Sequence, residues 1–417
     1  MHNNIKILFI NGSFLNDSGS AVIAKNTYDI FKSKEYEVEF FTTKNYSFNK
    51  KYKFNKYFPE HFGTPIKYLL NQWRYYYNYT SQMNLDKLLT KFKPDIVHIH
   101  SLRISSLTYS VFKPILKRNI PIIMTLHDAY LVCPMITAIK GNGEICNQFL
   151  CKKHNKFHCL FNNCANNQEQ SFRYAMMSFI NKLTGYDKHV KKFIAPSDAL
   201  KNIMIKYNDD INENNILTIN NFLTNEELKT TPNYINKGYF LYIGRLSAEK
   251  GVKYLLEAMK DLPKDIKLKI VGTGKEENNL KQYAKENNLD NVEFVGFKNR
   301  EEINEYYQNC IATILPCNWF EIFGMTNIES FINGKPVVAS DIGGIPEIVE
   351  HNVNGLLFEP TNVEQLKECI LTYWNNPELV IEHGKNGYQK AKTQYTEEKY
   401  YNELIKIYEE VVNESKK

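Results

Sequence analysis

Short apolar runs, each closed by polar residues and followed by a stretch of helical spacing, recur along the chain. In the first half, "IKILFI" leads into the loop "NGSFLNDSGSA" and the helical pattern of "VIAKNTYDIFKS", and "PDIVHIHS" and "PIIMTLHDAY" read as further strands with polar ends. A second alternating series opens at "GYFLYIGRLSAEKGVKYLLEAM" and continues through "IKLKIVGTG", "NVEFVGF", "CIATILP" and "KPVVAS". Uninterrupted apolar strands that alternate with helices predict parallel sheets covered on both faces. In such sheets ligands sit beyond the carboxyl ends of the strands, which is where His127 and Asp128 fall.

A chain of 417 residues exceeds one ordinary core and suits two domains of about 200 residues each. The polar, Asn-rich segment from Ser197 to about Pro232 contains the expected junction. The reading is a first domain over 1–196, a second over 197–395, and a final helical stretch over 396–417 packing across both. No repeat of solenoid period is present. No apolar run approaches the roughly 18 residues of a membrane span, and "IKILFI" is too short for a signal peptide and lacks a cleavage pattern, so a cytoplasmic location is expected.

The formal net charge of +6 is mild, but it is unevenly spread. Between Lys44 and Tyr79, Lys and Arg interleave with Tyr, Phe and Trp, and Glu60 is the only acid. This mixture suits an anionic membrane surface or a phosphate-bearing acceptor, and equally a helical region with a basic exposed face. Aromatic and basic residues together also serve single-stranded nucleic acid, although no nucleic-acid partner is expected.

Candidate chemistry concentrates in "NWFEIFGMTNIESFINGKPVVAS". Glu321 and Glu329 stand eight positions apart, which on one helix would mean about 12 Å of rise and roughly 80° of rotation, so they are not a tight acid/base pair. Apolar spacing begins only after Gly324, placing Glu321 in the approach loop and Glu329 in the helix. Asn333 and Gly334 end that helix and Pro336 opens a strand. The free N–H groups at the helix start suit a phosphate. In "IGRLSAEKGV", Arg245 and Lys250 stand at a strand end, where a planar fork and a point charge can neutralise a diphosphate. There is no Asp-x-Asp to hold a divalent metal against it. "GTGKEEN" lacks the third glycine of a dinucleotide fingerprint, and no phosphate-binding loop of the nucleotide-triphosphatase type is present, so NAD and ATP are not expected.

Taken together, "KPDIVHIHS", "TLHDAY", "APSDALKN", "GRLSAEKGVKYLLEAM", "VGTGKEENNLKQYAKENNLDNVEFVGF" and the glutamate stretch through "NGLLFEP" resemble glycosyltransferase family 4, also described as glycosyl transferases group 1. The resemblance implies an α/β chain of the GT-B fold, two facing Rossmann-like domains with parallel sheets and a cleft between them. It implies a retaining transferase of hexosyltransferase type that moves a sugar from a nucleotide-diphosphate sugar, by default a UDP-sugar, to a glycan or lipid-linked acceptor in surface polysaccharide or glycoconjugate synthesis. Arg245 and Lys250 would bind the diphosphate, Glu329 the ribose and Glu321 the transferred sugar. The backbone of Phe323, Gly324, Met325 and Thr326 would cradle sugar and phosphate, and His127 would reach the sugar from the first domain. Where the family often has Gly-Gly this chain has Gly19 and Ser20; Gly19 would still admit the diphosphate, while Ser20 adds a hydroxyl. No cofactor is expected to be needed for catalysis, and docking at the cytoplasmic membrane face is expected of such an enzyme. The alternatives are a non-catalytic nucleotide-sugar-binding subunit, or an enzyme of the same architecture that hydrolyses or epimerises the nucleotide sugar.

Five of the eight cysteines fall between Cys133 and Cys164. Cys146 with Cys151, and Cys159 with Cys164, make two C-x4-C pairs suited to a structural zinc that would pin this insertion, 133–164, over the acceptor side. Disulfides, disfavoured in a cytoplasmic setting, and unligated thiols are the alternatives.

Overall fold

The computed structural model describes residues 5–12, 19–42, 77–102, 109–136, 138–141, 146, 151 and 157–416. The chain forms two six-stranded parallel sheets. The first holds β1 (Ile7–Asn11), β2 (Val38–Phe41), β3 (Ile96–Ser101), β4 (Ile122–Thr125), β5 (Val190–Ala195) and β6 (Ile216–Thr218), in the order β2-β1-β3-β4-β5-β6. The second holds β7 (Tyr239–Ile243), β8 (Lys267–Val271), β9 (Val292–Gly296), β10 (Thr313–Leu315), β11 (Val337–Ser340) and β12 (Gly355–Phe358), in the order β12-β11-β10-β7-β8-β9. Strand order reverses between β1 and β3 in the first sheet and between β7 and β10 in the second. Loops leaving the strands at these two switch points open the crevices where ligands of such sheets bind.

Both faces of each sheet are covered, which is why the strands lack polar alternation. In β1 all five residues are buried: Leu8 and Ile10 pack with Val97, Ile99 and Phe193 on one face, while Ile7 and Phe9 pack with Phe31, Ile96 and Tyr408 on the other. The second sheet divides likewise, with Phe240, Tyr242 and Ile270 against Leu255 and Tyr373, and Val337 and Ala339 against Phe331 and Ala391.

The domain boundary expected between 196 and 197 lies further along the chain. The helix Asp198–Tyr207 and β6 belong to the first domain, since β6 pairs with β5 through Phe193↔Ile216 and Ala195↔Thr218. The polar composition of 197–215 comes from surface turns in which Asn208, Asn212 and Asn215 bond their own neighbourhood, and not from a linker. The last helix, Glu397–Ser415, returns from the second domain and docks on the first. It buries Tyr400, Leu404, Ile407, Tyr408 and Val411 in the cluster around Phe9 and Phe31. Burial of this kind contributes about 1.5–3 kcal/mol for each large apolar side chain.

Candidate active site

At the switch point of the second sheet, β7 delivers Gly244 and Arg245, and a short turn, Ala248–Lys250, follows. Gly251 has φ +70°, and a Cβ there would lie 1.7 Å from the carbonyl oxygen of Pro316, just beyond β10. Only glycine lets the two loops touch, and their contact sets Lys250 beside Glu321. Lys250 Nζ lies 2.5 Å from Glu321 Oε2, the same oxygen accepts from Trp319 Nε1–H at 3.1 Å, and the ammonium stands 5.0 Å from the centre of the Trp319 ring. Burial alone would lower the Lys250 pKa, but the Glu321 carboxylate outweighs it and holds the ammonium above its ordinary range. Arg245 is 66% exposed, with its guanidinium 2.9 Å from Glu249. Burial would raise the Glu249 pKa, yet hydrogen bonds from Ser247 and its own backbone N–H, with the charge of Arg245, bring it below the usual carboxylate range. Two cations and two carboxylates are thus matched, and an incoming diphosphate would exchange with carboxylates already in place.

The helix Met325–Ile332 starts from Gly324 at φ +89°. Phe323 turns its ring into the core against Tyr395, at 5.7 Å and 83°, so its backbone and not its side chain is available to a ligand. Met325 and Thr326 are half-buried in the first turn. Glu329 is one helical turn further on and accepts from the Tyr307 hydroxyl at 2.8 Å. Burial, then the charge of Glu329 and the hydrogen bond to it, keep that phenol protonated, while Thr326 also bonds to it. The two glutamates therefore have separate partners, as their spacing requires.

Glu321 also marks the seam between the domains. Its neighbours Phe320 and Ile322 pack into the first-domain cluster with Leu126, Ala129 and Val132. Ser197 Oγ–H donates to the Ile322 carbonyl at 2.6 Å, and the Glu347 carboxylate accepts from the backbone N–H groups of Asp198 and Ala199 at 2.9 and 2.7 Å. Gly343, at φ +62°, backs the Glu321 carbonyl so closely that a Cβ would lie 2.2 Å from it. Facing this seam, the first domain supplies His127 just after β4, with Nε2 3.1 Å from His100 Nδ1. Gly19 opens the helix Gly19–Ser33, and nothing lies within 4 Å of where its Cβ would stand, leaving the backbone open to approach.

Among the described residues no set of three or more His, Cys, Asp or Glu side chains could hold a metal ion. Cys133 and Cys146 lie at the main first-domain core, and Cys151 and Cys159 form a small cluster with Ala175, Cys164 at its margin, that adjoins this core through Met135. All eight cysteines are free thiols. Most of the basic, aromatic stretch expected at a membrane, 44–76, lies outside the described residues. Among the described residues no helix is long and apolar enough to cross a membrane.

Sequence reasoning missed Trp319, Glu249, Tyr307, His98 and His100 as neighbours of the site residues. The first two lie inside the motifs already singled out. The histidines carry a signal of their own, since "VHIH" interrupts a buried strand with two polar residues on one face. Tyr307 carries none, being one tyrosine of 28.

Two facing Rossmann-like domains with their switch points turned to a shared seam constitute the GT-B fold. Anabaena HepE, solved with UDP and glucose, shares it, with a TM-score of 0.65 at 19% identity over 97% of this chain and 100% of that one. The model of Glycosyltransferase Family 4 matches residues 18–226, and that of glycosyl transferases group 1 matches 224–390. The chain belongs to Glycosyltransferase Family 4. An uncharacterised glycosyltransferase of Methanocaldococcus jannaschii is 34% identical over 220 residues, 53% of this chain and 60% of the relative. The O-antigen chain mannosyltransferase C of Escherichia coli is 27% identical over 176 residues, 42% of this chain and 47% of that protein. The chain spans about half the length of the curated relatives it matches.

Proposed function

We propose that the chain is a retaining glycosyltransferase that moves a sugar from a nucleotide-diphosphate sugar, with UDP as the default nucleotide, to a glycan or lipid-linked acceptor of a surface polysaccharide or glycoconjugate. The observation that carries this reading is the Lys250–Glu321 pair at the second-sheet switch point, one loop from Arg245 and one helix from Glu329. In the proposed complex the diphosphate takes Lys250 and Arg245 from their carboxylates. Glu321, released from Lys250, accepts hydroxyls of the transferred sugar, and Glu329, held by Tyr307, accepts those of the ribose. Charge building on the leaving diphosphate meets the two cations and the N–H groups at the start of Met325–Ile332, an arrangement that stabilises a leaving anion as the glycosidic bond loosens. That state is oxocarbenium-like, and the acceptor enters on the face the diphosphate leaves, giving up its proton to the departing oxygen. His127 and the open backbone at Gly19 complete the pocket from the first domain when the domains close.

HepE in complex with UDP and glucose and the E. coli O-antigen mannosyltransferase support the donor and product classes named here. We place the enzyme at the cytoplasmic membrane face, docked through 44–79. Salt-sensitive binding to anionic vesicles is expected, and equal binding to neutral ones removes that placement. The reading as a whole is tested by thermal stabilisation with a panel of nucleotide sugars, since a ligand of the folded state raises Tm. A shift with one donor, lost in Glu329→Ala and in Arg245→Ala, is expected. No shift with any of them, or an unchanged shift in both variants, overturns it.

A further inference from the structure

We infer that Trp319 is the positioning residue of Glu321: its indole N–H keeps hold of one carboxylate oxygen when the diphosphate takes Lys250, so that the other oxygen faces the transferred sugar. The inference rests on the reading above for what Glu321 meets; the one-sided crowding of its carboxylate is a matter of geometry.

Three donors converge on Glu321 Oε2: Lys250 Nζ at 2.5 Å, Trp319 Nε1–H at 3.1 Å and the Cys317 thiol at 3.7 Å. Among the described residues no group bonds to the other oxygen, Oε1, which is left to the hydroxyls of a ligand. The backbone at Glu321 is fixed, its carbonyl accepting from the Gly344 N–H at 2.8 Å. A fixed backbone still leaves the side-chain torsions of a glutamate, the last of them broad and two-fold. Which oxygen faces the ligand is therefore decided by the donors on the carboxylate.

The three donors are unequal. The Lys250 ammonium is the strongest, because both partners are charged, and it is the one a diphosphate draws away. The Cys317 thiol is a weak donor. The indole N–H is a full donor with no charge to attract a phosphate, and its acceptor stands two positions along the same loop. Trp319 is anchored apart from Glu321: the Asn318 N–H donates to the Glu249 carbonyl at 3.2 Å, and the ring packs on the apolar cluster of Phe323 and Ile328. Its face also meets the Lys250 ammonium, 5.0 Å from the ring centre. With Lys250 gone to the diphosphate, the indole is the principal donor left on Oε2, and it keeps Oε1 turned to the sugar. Trp319 acts through Glu321 and does not itself touch the reacting atoms.

The test begins without donor, on 1H–15N spectra of the full chain labelled at its three tryptophans, with the Trp319 indole signal assigned by its loss in Trp319→Phe. In the wild type that proton is expected downfield and slow to exchange with water, and in Glu321→Ala it should move upfield and exchange faster. Lys250→Met, or Lys250→Gln should the first not fold, imitates removal of the ammonium by a diphosphate and should leave the signal downfield. An upfield, fast-exchanging indole in the folded lysine variant overturns the inference. Trp319→Phe keeps a ring face for Lys250 and removes the N–H. For the nucleotide sugar that stabilises the wild type, Trp319→Phe should raise Kd about 5- to 20-fold and lower kcat about tenfold, while Kd for the corresponding nucleoside diphosphate alone stays within about twofold. Equal losses for the two probes would make the tryptophan a structural support, and no loss for either would make its N–H idle; both overturn the positioning role. If no nucleotide sugar stabilises the wild type, the proposed function fails, while the spectra of the lysine variant still decide whether the indole holds Glu321 by itself.

Discussion

Lys250 Nζ and Glu321 Oε2 are 2.5 Å apart with side chains only 18% and 12% exposed, joining loops 71 positions apart in sequence. Removing one partner of such a pair leaves the other charge desolvated, which costs about 3–5 kcal/mol in fully buried cases. Lys250→Met should therefore destabilise the chain by about 2–3 kcal/mol. Adding Glu321→Gln should recover part of that loss, because the amide still accepts from Trp319. Urea unfolding of both single variants and the double variant gives the coupling directly, and strict additivity would show that the pair contributes nothing.

Tyr307 holds Glu329 from the neighbouring helix Arg300–Asn309. Tyr307→Phe keeps the ring in the core but removes the hydroxyl. Free of its partner, Glu329 should rotate among several positions and bind a ribose less well, raising donor KM about 3- to 10-fold with kcat little affected. Glu329→Ala should raise KM further, and the double variant should equal Glu329→Ala alone. Steady-state kinetics on the three variants checks this, and an effect of Tyr307→Phe in the Glu329→Ala background would contradict it.

Glu347 belongs to the second domain, yet it caps the first-domain helix Asp198–Tyr207, whose own Ser197 also reaches across to Ile322. A carboxylate at a helix start satisfies orphan N–H groups and complements the dipole. Glu347→Ala should lower stability by about 1 kcal/mol and let the domains open. Small-angle scattering without ligand should show a larger radius of gyration than the wild type, and an identical curve would mean that Ser197 and the apolar seam suffice.

Much of the architecture was legible because both faces of each sheet are buried, so strands such as Phe240–Tyr242 and Val337–Ala339 stand out as unbroken apolar runs. β6 was not, because three residues carry no period and its flanks are rich in asparagine. Arg245, Lys250, Glu321 and Glu329 could be singled out locally, since they fall in the loops after β7 and β10 and in the helix that follows the second of them. Their partners could not: Tyr307 is 22 positions from Glu329, and Tyr408 is 310 positions from His98. Such contacts depend on strand order and on where the last helix returns, neither of which local spacing records.

The histidine ladder should also make stability depend on pH. His98 is enclosed by Phe9, Tyr408, Thr125 and His100, with His127 beyond, and burial followed by the charge of His127 takes its pKa down from 6.5 to about 3. In the unfolded chain the same ring takes up its proton near pH 6.5. Between these values the unfolded state binds more protons than the folded one, so stability rises with pH. The contribution of His98 is complete above about pH 7 and is lost progressively as the pH falls from 6.5 toward 3, reaching about 2 kcal/mol at pH 5. His100, shifted in the same direction, adds to the loss. Melting curves at pH 7.5 and 5.0 should thus show a drop in Tm that is smaller in His98→Asn than in the wild type. An equal drop would mean that other groups set the acid sensitivity, His383 among them, since burial lowers its pKa as well.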